Sequence, residues 1–230
     1  MLSSNMIRRA VVSKSLVLRS LSTVATAPTA AVSGRESALF TPGPLTTSAG
    51  VKQAMQIDLG SRDGQFISVI DDVRNGLLEM AETSQADGHE AVLMQGSGTF
   101  SVEATISSIV PTDGKLLILS NGAYGERIGK MCDYHSIPYS ILRYGERGAP
   151  NAADAAAAVQ GDDSITHVAC IHHETTSGAL NPVQEIGKAI KAVRPDLTFI
   201  VDSMSGFGAY PLEVGPGKSG ETVDFLVSSR

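Results

Sequence analysis

Four short stretches combine residue types in spacings that suit one kind of chemistry. Phe199, Ile200 and Val201 are apolar and lead into Asp202-Ser203-Met204-Ser205, so the Asp202 carboxylate emerges from the carboxyl end of a buried strand. An ionised carboxylate there can pair with a protonated heterocyclic nitrogen, which keeps an aromatic ring electron-poor. Gln95-Gly96-Ser97-Gly98-Thr99 follows an apolar segment and opens a helix. Its glycines allow close backbone approach, and Ser97, Thr99 and the free N–H groups of the helix can cradle a phosphate. Asn121-Gly122-Ala123-Tyr124-Gly125 sets an aromatic ring between glycines, where it can lie flat on a planar ligand. His172-His173-Glu174-Thr175-Thr176-Ser177-Gly178 offers hydroxyls for a ligand oxygen. Its two histidines are adjacent and so point to opposite faces of a strand, and the spacing matches no familiar zinc helix. No metal site is expected.

Each stretch alone also reads as something ordinary. Ser97 is a common helix cap, Tyr124 a turn tyrosine, and Asp202 a cap for the turn that follows. No Walker loop, Gly-x-Ser-x-Gly elbow or recognisable Ser/His/Asp arrangement is present. The coincidence of four polar strand ends carries the reading, because open α/β sheets bind ligands along that edge.

Positioning four such ends requires a parallel sheet. Apolar segments at 91–95, 115–120, 139–142, 167–172, 197–202 and 223–228 predict strands. Helical patterns at 51–59, 66–82, 100–109, 125–135, 151–160 and 183–193 surround them. On the longer of the first two helices, Val69, Ile70, Val73, Leu77 and Met80 form one stripe. Strands apolar on both faces, alternating with helices, predict an α/β fold with a mostly parallel sheet and helices on both faces. Thr41-Pro42-Gly43-Pro44 cannot be helix and predicts an extended arm.

Composition bounds the rest. The chain has 230 residues, 42% hydrophobic and 18% charged, with a net charge of −6. That acidic balance gives no reason to expect a nucleic-acid partner, and no apolar run reaches the roughly 20 residues of a membrane span. Cys132 and Cys170 have no CxxC spacing, so a disulfide framework is not implied, and Cys170 lies in an apolar run as a buried thiol would. Residues 1–35 carry Arg8, Arg9, Lys14, Arg19 and Arg35 and no acid. Met6, Ile7, Ala10 and Val11 against those cations would make a basic amphipathic helix. Residues 1–37 are therefore expected to be a disordered organelle transit peptide, mitochondrial before plastid.

From Leu39 onward the chain resembles the 2-aminoethylphosphonate–pyruvate aminotransferases. These are fold-type-I pyridoxal phosphate enzymes related to alanine–glyoxylate and serine–pyruvate aminotransferases. The matching residues are Thr41–Ser48, Gln95–Thr99 with Val102-Glu103-Ala104, Ser120–Gly125 with Arg127, Glu174–Pro182, Asp202–Ser205 with Phe207-Gly208, and Ser228-Ser229. Tyr124 and the Glu-Thr-Thr-Ser-Gly-x-Leu-Asn-Pro stretch favour the phosphonate branch. The resemblance implies that Ser97, Gly98 and Thr99 hold the cofactor phosphate. It also implies that Tyr124 stacks on the ring, Thr175 bonds its phenolic oxygen, Asp202 pairs with the pyridine nitrogen and Met204 packs near the ring. The implied partners are a small amino donor and a 2-oxo acid, in a homodimer.

Departures from the family pattern are also expected to matter. An Asn-Lys pair follows Ser-Ser-x in the family, so the Schiff-base lysine is expected two positions past Arg230, and no catalytic residue is expected within the chain. Residues 38–230 then form an incomplete pyridoxal phosphate-binding large domain, with its C-terminal part missing. The 230 residues alone are expected to be inactive. Gly206 stands where the family often has Ser. An alternative activity is that of the alanine–glyoxylate or serine–pyruvate enzymes. An alternative of another class is a non-catalytic cofactor-binding remnant or dimerisation fragment.

Overall fold

The computed structural model describes residues 38–41, 43 and 45–229. The expected leader at 1–37, Pro42 and Pro44 of the expected arm, and Arg230 lie outside the described residues. After the arm come α1 (Ala49–Ala54) and α2 (Gly64–Met80). Ser48 caps α1 by accepting the Val51 N–H on its Oγ. On α2 the expected stripe is buried only at its carboxyl-terminal end. Leu77 and Leu78 enter the core, while Met80 stays exposed beside them.

Next follow α3 (Gly98–Ile109), β1 (Lys115–Ser120), α4 (Ala123–His135), β2 (Tyr139–Arg143), α5 (Ala152–Gly161) and β3 (Ile165–Ile171). A small hairpin, β4 (His173–Glu174) and β5 (Ala179–Leu180), leads to α6 (Val183–Val193). The chain continues through β6 (Thr198–Asp202) and β7 (Phe225–Val227).

The main sheet has five strands in the order β2-β1-β3-β6-β7, and every neighbouring pair is parallel. Side chains alternate between its two faces. Leu116, Ile118, Ala169, Ile171, Ile200 and Val227 pack with α3 and α4 through Val102, Ile106, Ile128 and Met131. Leu117, Leu119, Val168, Val201 and Leu226 pack with α2, α5 and α6 through Leu77, Val159, Ile186 and Ile190. Helices thus cover both faces, as the continuous apolar strands require. Cys132 and Cys170 are buried free thiols within these two layers.

One predicted strand does not form. Ala91–Gln95 carries only an isolated bridge residue at Val92 and joins no ladder of the sheet. Leu93 packs on the core and the Ala91 carbonyl accepts from Arg74 Nε at 3.0 Å. Among the described residues, no strand pairs with this segment in a ladder. Its apolar residues report burial, which strand propensity cannot separate from pairing.

Strand order reverses at β1. The chain passes from β1 to β2 on one side, then returns to add β3 on the other. Such a switch point opens a crevice beyond the carboxyl ends of the strands. Asn121 and Asn181 bridge that crevice by a reciprocal amide pair, at 2.8 Å and 3.0 Å. Asn181 also donates to the Ile171 carbonyl at 2.8 Å, so the ends of β1 and β3 are held together.

Candidate active site

The predicted stretches meet along the carboxyl edge of the sheet, on the α3/α4 face. One open cavity there is lined by Gly98, Thr99, Tyr124, Arg127, Asp202 and Met204, over an apolar floor of Val102, Ile128 and Met131. Five of the seven residues expected to hold a cofactor therefore share one space. Ser97 stands beside it as the α3 cap, its Oγ accepting the Phe100 N–H at 3.2 Å. The hydroxyl stabilises the helix end and takes up one first-turn N–H, so those of Gly98 and Thr99 are the ones that could serve an anion. Thr175 lies half-buried in the turn of the β4–β5 hairpin and does not line the cavity.

Gly98 is set by close approach. A Cβ at this position would collide with Ser229 Oγ and lie 2.5 Å from Met204 Sδ. The start of α3 therefore sits directly against the residues that follow β6 and β7. Thr99 Oγ1 accepts from Arg127 Nη1 at 3.2 Å, and the guanidinium carbon lies 4.9 Å from the centre of the Tyr124 ring. Sequence reasoning gave Arg127 no role. Only its three-residue spacing from Tyr124, one helical turn on, could have signalled that both face the cavity.

Asp202 ends β6 and is 8% exposed. Burial pushes its carboxyl from the usual 3.8 up to about 6. The Met204 N–H, donating to Oδ1 at 3.0 Å, and the Arg127 charge oppose the rise, while the Glu174 carboxylate adds to it. A cationic partner in the cavity would favour the ionised form. Behind Asp202, the buried His172 is held well below the usual histidine range, at about 4, by burial and by neighbouring His173. His172 is thus neutral at pH 7, and its Nδ1 meets Ser203 Oγ at 2.9 Å. Gly206 closes over this pair: a Cβ there would lie 2.6 Å from His172 Nδ1. A serine at this position would not fit without rearrangement.

Sequence reasoning gave Glu174 no role of its own. Its carboxylate is fully buried and faces the first turn of α4. Among the described residues, no cluster of His, Cys, Asp and Glu could hold a metal ion.

The lining of the cavity carries the chemistry that a flat, phosphate-bearing, cationic ring would need. It combines donors at the start of α3, the Arg127 charge, the Asp202 carboxylate, the Tyr124 ring and the apolar side chains of Val102, Ile128 and Met131. That is the donor set pyridoxal phosphate demands: anion donors, an aromatic face and a carboxylate for the ring nitrogen.

Comparison with known proteins agrees. The family described as aminotransferase class-V matches residues 50–230. A 2-aminoethylphosphonate–pyruvate transaminase of Syntrophobacter fumaroxidans is 43% identical over 191 residues, 83% of this chain and 49% of that protein. One of Pseudomonas putida is 46% identical over 175 residues, 76% of this chain and 46% of its own length. Among solved structures, pyridoxamine–pyruvate aminotransferase from Mesorhizobium loti superposes with a TM-score of 0.71 at 23% identity, covering 82% of this chain and 46% of that one. Alanine–glyoxylate aminotransferase from Nostoc sp. gives 0.71 at 23% identity, covering 81% and 47%. The solved structures speak for the fold. The chain spans about half the length of the curated relatives it matches.

Proposed function

The chain belongs to the class-V aminotransferases, a family of pyridoxal phosphate enzymes, and on that footing we propose that the whole protein moves the amino group of 2-aminoethylphosphonate to pyruvate. The products are phosphonoacetaldehyde and alanine. The supporting observation for the cofactor is the convergence of Gly98, Thr99, Tyr124 and Asp202 on one cavity at the switch point. For the substrates it is the shared name of relatives 43% and 46% identical to this chain.

When bound, pyridoxal phosphate supplies an electron sink for the carbon that gives up its proton. The residues of this chain supply orientation and charge. The first turn of α3 and the Thr99 hydroxyl donate to the phosphate, with Arg127 adding a positive charge beside them. Asp202 accepts the ring N–H and keeps that proton in place, and its low exposure leaves the pair undiluted by water. Tyr124 covers one face, and Met204 fills the space beside Asp202. Ser97 supports the cradle as a cap, and Thr175, which does not line the cavity, is assigned the phenolic oxygen on the family resemblance alone. The proton carrier, for which the resemblance implies a lysine, and the group that reads the pyruvate carboxylate are not assigned to any described residue.

The same reading includes a homodimer. It also includes a mitochondrial destination, supported by the basic, acid-free composition of residues 1–35. The decisive assay offers the whole protein 2-aminoethylphosphonate with pyruvate, and separately serine or alanine with glyoxylate. Alanine formation with the phosphonate donor is expected. Turnover of serine or alanine with none of the phosphonate would replace this reading by the alanine–glyoxylate or serine–pyruvate activity.

A further inference from the structure

Glu174 is 0% exposed. A carboxylate in such a place is costly unless its lone pairs are met, and here they are. Oε2 accepts the main-chain N–H groups of Tyr124 at 3.1 Å and Gly125 at 3.4 Å. Oε1 accepts the Thr176 N–H at 3.2 Å and its hydroxyl at 2.6 Å. All four donors are neutral. Two belong to the first turn of α4, whose N-cap residue, Gly122, has no side chain to offer them. The carboxylate therefore caps α4 from 50 residues away in sequence, at the end of the helix that favours negative charge.

The surroundings leave the carboxylate one seat. Thr176 Oγ1 accepts the Ala123 N–H at 3.0 Å, so its own proton is directed to Glu174. A Cβ on Gly122 would run into the Glu174 side chain and lie 2.6 Å from Thr176 Oγ1. Gly122 itself is extended at φ −177°. Glycine is needed there because the carboxylate sits against it, with no demand from the backbone angle.

Resting on the cofactor reading above, we infer that Glu174 is a positioning residue that fixes the first turn of α4, and with it the Tyr124 ring, against the cofactor site. Tyr124 is the second residue of α4, so its ring follows that turn directly. A carboxylate suits the task because both of its oxygens accept. Glutamine has one acceptor and one NH2 group, so whichever way it turns, one pair of donors faces another donor. Aspartate is one methylene short.

A double-mutant cycle in the whole protein tests this. The dissociation constant for pyridoxal phosphate is measured for Glu174→Gln and for Gly122→Ala, each with Tyr124 present and in a Tyr124→Leu background. Either substitution is expected to weaken binding about tenfold beside Tyr124 and less than about twofold without it, because the cycle isolates the effect passing through that ring. Hydrogen exchange of the peptide spanning residues 121–127, followed without cofactor, is expected to quicken in both variants. Equal weakening in the two backgrounds, or unchanged affinity beside a binding wild type, overturns the inference alone. Failure of the unsubstituted protein to bind pyridoxal phosphate overturns the functional reading and the inference with it. Gly122→Ala carries the comparison if Glu174→Gln does not fold.

Discussion

At the scale of single residues, Asp202 carries the clearest consequence of burial. Without cofactor its carboxyl titrates near 6 in the folded chain against 3.8 when unfolded. Between those values the folded state holds a proton that the unfolded state has released. Stability contributed by this residue therefore falls as pH rises from about 4 to 6, then levels off. Asp202→Asn has no such proton to lose. Its unfolding free energy relative to the unsubstituted, cofactor-free protein is expected to improve across that interval, in denaturant titrations at stepped pH. A difference that stays flat from pH 4 to 6 would show that the carboxylate is already ionised when buried. Asp202 was legible in the sequence because three apolar residues precede it. Glu174 was not, since a run of His-His-Glu-Thr-Thr does not reveal which side chains turn inward. Its capping of α4 depends on contact across 50 residues.

At the scale of elements, period and apolar runs placed every helix and strand of the two layers to within a few residues. The β4–β5 hairpin was missed because its strands are two residues each and carry no alternation to read. The amino-terminal edge of the sheet holds a second feature the pattern hid. Asp224 Oδ2, just before β7, accepts from Lys191 Nζ of α6 at 2.6 Å and from the Phe199 N–H of β6 at 2.8 Å. Lys191 also donates to the Leu197 carbonyl. One carboxylate thus joins a helix and two strands. Asp224→Ala leaves a largely buried ammonium and a buried N–H without their acceptor, and is expected to cost about 3 kcal/mol in chemical denaturation. A loss under about 1 kcal/mol would mean that water reaches the pair.

At the scale of the molecule, exposed large apolar side chains gather in the amino-terminal arm and first helices, with Phe40 at 96% and Met55 at 72% exposure. Neither composition nor period could separate these from core residues, because an apolar side chain reads the same in a sequence whether or not anything covers it. The proposed dimer draws on this surface. Met55→Asp is expected to move the sedimentation of the whole protein toward the monomer at micromolar concentration, and an unchanged dimer would place the interface elsewhere. The strand order β2-β1-β3-β6-β7 has a consequence of its own. Once β1 and β2 have paired, Leu116 with Tyr139, β3 attaches to the free edge of β1, and each later strand then attaches to the previous strand of this sheet: β6 on β3, β7 on β6. The sheet can be built in the direction of translation, with no strand inserted between two already paired. A chain growing from the ribosome therefore keeps β2 as one outer strand and presents its newest strand at the other edge, which is β6 from Asp202 until Phe225 emerges. Pauses in synthesis between Asp202 and Phe225 are the interval in which a chaperone, or a neighbouring nascent chain, finds the edge of β6 unpaired.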